Sequence, residues 1–238
     1  MPYRPPGRHA VTPQGKGRFP GFDVLDSVDV WDDVTAGAVL ERLSHPTGLS
    51  FFTPAEVAVA SPLLDLLLAQ DGEPRVPVLE LIDERLAVGE TDGWHYDDLP
   101  EDADAWRESL AALDADAQEN LGRPFAELHS DDQAGLIQDV QDCEGSWQNL
   151  PAGHVWSLWT RYACTAFYSH PWAWNEIGFP GPAYPRGYLN LGVDARERFE
   201  VRDASDADPV PFASRVEQAR KRHAALVDRE LGGRENQP

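Results

Sequence analysis

Histidine, cysteine and paired carboxylates are the side chains that could hold a metal or move a proton. In this sequence of 238 residues they do not converge. The seven histidines, His9, His45, His95, His129, His154, His170 and His223, are scattered. None stands four residues from another, as a zinc-binding pair on one helical face requires, and no Glu-x-x-His repeat of a di-iron bundle occurs. His154 and His170 flank an apolar run at its opposite ends, too far apart to share one ion. His95, in Gly-Trp-His-Tyr-Asp-Asp, has acidic neighbours that could raise its pKa, but the plainer reading is a solvated loop histidine. Asp32/Asp33, Asp97/Asp98 and Asp131/Asp132 read as turn and helix-start residues. Cys143 and Cys164 lie outside any C-x-x-C motif, which excludes covalent c-type haem and disfavours a thiolate zinc site. Two free thiols in a reducing compartment are the simplest state, with a pairing between them left open. Cys164, in an apolar run, reads as a small core residue. No dinucleotide fingerprint, P-loop, nucleophile elbow or H-E-x-x-H is present. The expectation is a chain with no catalytic, cofactor-binding or metal-binding residues of its own.

The aromatics are the unusual feature. Trp147, Trp156, Trp159, Trp172 and Trp174 crowd one stretch with Tyr162, Phe167, Tyr168, Phe179, Tyr184 and Tyr188. Such residues can fill a core, anchor a partner or stack on sugars. Over 154–168 the core reading wins. Over 169–192 neither helical nor strand periodicity is evident, and a long irregular loop is more often functional than decorative. Pro171, Pro180, Pro182 and Pro185 would stiffen it and limit the entropy lost on docking. Gly178, Gly181 and Gly187 permit tight turns, while Asn175, Glu176 and Arg186 offer polar fixing points. The candidate partner-binding residues are Tyr168, His170, Trp172, Trp174, Asn175, Phe179, Tyr184, Arg186 and Tyr188. The competing uses are sugar stacking on Trp172 and Trp174, and a stand-alone metal enzyme built on His95, His154 or His170.

The elements that must carry these residues are helical. A short helix is expected over 32–43. Thr53, Pro54 and Glu56 form a capping box with proline at the first helical position, and Val57, Ala60, Leu64 and Leu67 follow at helical spacing. Pro62 inside that run should kink or divide it. Val78, Leu81, Ile82 and Leu86 share one face of a helix over 77–87. A helix over 103–121 buries Trp106, Leu110, Leu113, Ala117 and Leu121, and Gly122 and Pro124 end it. Ser130 and Gln133 suggest another capping box, opening a helix with Leu136, Ile137 and Val140. The helix over 154–168 is apolar nearly all round, with Arg161 its only charge, and so should be central or covered by a partner. A charged helix is expected over 212–231. The fold class is all-α, an irregular bundle of about six helices with long Pro/Gly/aromatic loops. Residues 1–22 read as a flexible arm, 23–192 as the helical domain, and 193–238 as a linker and charged helix.

Charge narrows the partners. Asp and Glu total 41 against 20 Lys and Arg, a formal net charge of -21. Such a surface repels phosphate backbones and anionic lipid headgroups, and it favours solubility. No apolar run is long enough to span a bilayer. The first residues carry neither a secretory pattern nor a twin-arginine pair, since Arg4 and Arg8 are not adjacent, so cytoplasmic residence is expected, with co-export on a partner left open.

Four stretches together carry a resemblance. They are Phe-Phe-Thr-Pro-Ala-Glu at 51–56, Val-Leu-Glu-Leu-Ile-Asp-Glu-Arg-Leu at 78–86, Gly-Arg-Pro-Phe-Ala-Glu-Leu-His-Ser-Asp-Asp-Gln at 122–133, and Phe-Tyr-Ser-His-Pro-Trp-Ala-Trp-Asn-Glu-Ile-Gly-Phe-Pro-Gly-Pro-Ala-Tyr-Pro at 167–185. With these the chain resembles the gluconate 2-dehydrogenase subunit 3 family, over about 51–191. The last stretch is the most specific. The resemblance implies a small subunit that accompanies a large FAD-dependent flavoprotein of the glucose-methanol-choline type and supports its folding, flavin loading or export. In several such systems a separate cytochrome subunit takes the electrons. Many members begin with a twin-arginine signal, and this sequence departs from them there.

Overall fold

The first long helix begins where its capping box stands. In the computed structural model, which describes residues 19, 22–44, 48–70, 75–190, 197 and 200, the Thr53 side chain accepts from the Glu56 amide, and Glu56 accepts from the Thr53 amide. Helix α2 then spans Pro54–Leu68 and ends on Ala69 in the left-handed region. Of the two outcomes expected at Pro62, a kink or a division, the helix is not divided. Proline forfeits one intrahelical bond there, and burial of Val59, Ala60, Leu63 and Leu64 around it outweighs that loss.

Before α2, a short helix α1 spans Asp33–Glu41, with Asp32 capping it through the Thr35 amide. Helix α3 spans Val78–Ala87 and buries Val78, Ile82 and Leu86. Helix α4 spans Asp102–Leu121 and ends on Gly122 in the left-handed region. Trp106, Leu110, Leu113 and Ala117 are buried as expected, but Leu121 is exposed because the last turn runs beyond the core. Helix α5 spans Ser130–Asp142. Its expected capping box does not form. Ser130 is already helical, and Gln133 turns inward to donate to the Phe125 carbonyl at 2.8 Å. A two-residue hairpin, β1 Ser146–Trp147 paired antiparallel with β2 Leu150–Pro151, leads into α6, Ala152–Ser169.

Helix α6 is the hub. It packs against α2, α3, α4 and α5 and buries Val155, Leu158, Trp159, Tyr162, Ala163 and Phe167. Trp159 meets Trp147 edge-on, and Tyr162 meets Trp106 the same way. Cys164 corrects its core expectation: it lies on the exposed side of α6. Cys143 and Cys164 are both free thiols. After α6 the irregular loop expected over 169–192 is in part a helix. Helix α7 spans Pro171–Ile177, with His170 as its cap and Pro171 at its first turn, where a missing N–H costs nothing.

The chain is therefore all-α, a helical bundle with seven α-helices among the described residues rather than about six. These residues belong to one compact unit, Met1–Arg202. The expected helix over 212–231 and residues 1–18 of the expected arm lie outside them. Two apolar clusters fill the unit. The large one joins α2–α6. The small one consists of Val24, Trp31, Val39 and Trp174, and it joins α7 to α1 and to a 3-10 segment, Val24–Val30.

Candidate docking surface

Of the nine residues singled out around α7, four form a buried layer and four an exposed one, with Arg186 half-buried. His170, Trp172, Trp174 and Asn175 are all buried. Each side chain in that layer has structural work. His170 Nδ1 accepts from the Trp172 amide at 3.2 Å, starting α7. The Trp174 indole donates to the Tyr168 carbonyl at 2.7 Å, closing the corner between α6 and α7. Asn175 accepts from the Val24 amide at 2.8 Å. Trp172 belongs to the large apolar cluster and Trp174 to the small one. With relative exposures of 3% and 6%, their indoles present no face on which a sugar could stack.

The exposed layer is Tyr168, Phe179, Tyr184 and Tyr188, with relative exposures of 45%, 39%, 66% and 50%. Ile177 and Leu189 join them, and the sequence reading missed both. Large apolar side chains scattered singly are normal on a surface, but six within 22 residues of chain are a concentration. Burial of part of the Tyr168 ring raises its phenol above the ordinary tyrosine value.

This stretch has little regular structure beyond α7, yet it is tied down along its length. The Phe179 amide donates to the Trp174 carbonyl at 3.0 Å, and Phe179 meets the Trp174 ring edge-on. The Trp31 indole donates to the Pro182 carbonyl at 2.9 Å. Arg186 is half-buried and folds back to the Pro180 carbonyl at 2.8 Å, so it braces the loop from within. Burial pulls its guanidinium below the usual arginine value. The Glu197 carboxylate accepts from the amides of Leu189 and Asn190. Apolar side chains held out on a fixed backbone lose little conformational entropy when covered.

The polar residues converge elsewhere, between α3 and α4. Asp92 bridges Arg85 and Arg161. Arg161 also reaches the buried Asp102 at 3.3 Å, which accepts from the Tyr162 hydroxyl at 2.7 Å. Arg161 stacks over Trp94, and Arg85 over Tyr162. Burial works against the Asp92 carboxylate, but the two guanidinium groups outweigh it and hold its pKa below the usual range. Burial and the Asp102 bond push the Tyr162 phenol up, keeping it protonated. Sequence reading missed this network, although a lone Arg161 in an apolar helix was its signal.

His154 Nδ1 lies 2.6 Å from Asp98, with its ring stacked on Tyr96. His95 lies 3.5 Å from Glu101. Each histidine thus has its own carboxylate, and His170 stands at the far end of α6. Among the described residues no three His, Cys, Asp or Glu side chains are grouped to hold a metal. In the same residues no helix is long and apolar enough to cross a membrane. Asp92 and Asp102 pin the acidic loop and the start of α4 to Arg161 of α6, while Arg85 Nε and Nη1 and Arg161 Nε are buried without a hydrogen-bond partner among the described residues.

A sequence model of the family described as Gluconate 2-dehydrogenase subunit 3 matches residues 54–181. The match opens at the first residue of α2 and closes at Gly181, within the aromatic stretch. No curated protein and no solved structure matches the chain.

Proposed function

The chain belongs to the gluconate 2-dehydrogenase subunit 3 family, and from that premise we propose that it is a non-catalytic accessory subunit that docks an FAD-dependent dehydrogenase of the glucose-methanol-choline type. The observation that carries the docking reading is the exposed set Tyr168, Ile177, Phe179, Tyr184, Tyr188 and Leu189, displayed on a stretch pinned by Trp31, Arg186 and Glu197. Tyrosine and other aromatics are favoured anchors at interfaces, where they bring area at small entropic cost. His170, Trp172, Trp174 and Asn175 serve from behind that surface by fixing its shape.

In this reading FAD and the hydride chemistry belong to the large subunit, and a cytochrome is a second potential neighbour of the complex. The small subunit supports the folding, flavin loading or stability of its partner. We place the complex in the cytoplasm, and two unpaired cysteines fit a reducing compartment.

The test is co-expression with an FAD-dependent large subunit of the glucose-methanol-choline type from the same genome. Flavin content and soluble yield of the large subunit should rise several-fold when this chain is present, and the two should co-purify. Equal flavin loading with and without the chain, and no co-purification, would overturn the reading.

A further inference from the structure

The docking surface is only as defined as the backbone that carries it, and that backbone leans on residues far away in sequence. We infer that residues 22–43 form a brace, with Trp31 its positioning residue, that sets the conformation of residues 178–190 for the partner; this rests on the docking reading above. Four contacts argue for it. The Val24 amide donates to Asn175, a buried bond across 151 positions of sequence. The Trp31 indole donates to the Pro182 carbonyl across the same separation. Arg42 donates to the Ser169 carbonyl at 3.0 Å, at the corner where α6 gives way to α7. Gly181 has φ +78, and a Cβ built there would lie 2.4 Å from the Trp31 ring, so the indole fills the space that a side chain would take.

These contacts use the buried Asn175 side chain, the carbonyls of Ser169 and Pro182 and the backbone at Gly181, and they leave the exposed side chains out. Val24, Trp31 and Val39 close on Trp174, the one aromatic of α7 outside the large cluster. The brace is therefore coupled to the inner layer of the surface, and the outer layer of Tyr184 and Tyr188 remains open. It also lies outside residues 54–181, the span matched by the family. Residues 182–190, most of the segment that the brace positions, lie outside that span as well.

The test uses the full chain with Trp31→Phe and Trp31→Ala. Amide hydrogen exchange is followed at Phe179 and Gly187, whose N–H groups bond within the stretch, with the amides of α6 as internal reference. Trp31→Phe removes the indole donor and keeps most of the ring. It should speed exchange at those amides several-fold, Trp31→Ala should do so tenfold or more, and α6 should be unchanged in the phenylalanine variant. Affinity for the flavoprotein should fall in the same order. Unchanged exchange at Phe179 and Gly187 in both variants would overturn the brace. Faster exchange with full affinity would uphold the brace as a structural element, overturn its role in docking and count against the docking surface itself. If Trp31→Ala also loosens α6, the phenylalanine variant alone decides, because it leaves the cluster filled.

Discussion

The large apolar cluster stacks Trp106, Trp159 and Tyr162 between helices that already satisfy their own backbone groups, whereas the small cluster around Trp31 and Trp174 is sewn to an irregular backbone by side-chain hydrogen bonds. In the first, burial of area is the main stabiliser, and the polar bond from the Trp159 indole to Ser109 at 2.9 Å fixes a rotamer within it. In the second there is little area to bury. Its hydrogen bonds decide where residues 178–190 lie. The contrast teaches that the bundle supplies stability and the annex supplies shape.

Variants in the two regions should therefore fail differently. Trp159→Ala removes a fully buried indole and its bond to Ser109 from the hub helix and leaves a cavity; about 3–5 kcal/mol of stability should go. Denaturant unfolding followed by circular dichroism would show it as a large fall in midpoint. A midpoint close to that of the unaltered chain would mean that the bundle is not the stability reservoir.

Gly181→Ala should have a smaller global effect. Its cost combines about 1–2 kcal/mol for a left-handed alanine with displacement of the Trp31 ring. The comparison predicts a modest fall in melting temperature together with large chemical-shift changes confined to residues 22–43 and 178–190. Shifts spread evenly through α2–α6 would erase the distinction between the two regions.

The smallest effect concerns the acidic loop on the bundle's side of the comparison. His95 is held above the ordinary histidine pKa, first by its hydrogen bond to the Tyr96 carbonyl, then by the charge of Glu101, with slight burial opposing them. Its contribution is therefore fully present below the unfolded value of about 6.5 and lost as pH rises through the higher folded value. Exchange of the loop amides should quicken as pH passes through that window, beyond the intrinsic pH dependence of exchange, and His95→Gln should remove the extra step. The same step in residues 178–190 would join regions that the structure keeps apart.

Much of the bundle was legible in the sequence, because its signals are local. Thr53 and Glu56 announce α2, Gly122 ends α4, and the apolar spacing on α3, α4 and α6 marks their buried faces. Where the reading failed, a tertiary partner had intervened. Gln133, expected in a cap, turns inward to bond Phe125 instead. Helix α7 escaped notice because it is too short to show a period, although His170-Pro171 had the chemistry of a helix start. The division of the aromatic stretch into buried Trp172 and Trp174 and exposed Tyr184 and Tyr188 was illegible. It depends on Trp31 and Val24, residues with no local sign that they belong there.

Binding to the flavoprotein measured with Tyr184→Ser/Tyr188→Ser tests the central claim most directly. Both rings are half or more exposed, so the variant should melt within a few degrees of the unaltered chain. If they anchor the partner, the dissociation constant should rise by roughly 30-fold or more, on the order of 2 kcal/mol. An unchanged dissociation constant, with the fold intact, would contradict the assignment of this surface to the partner.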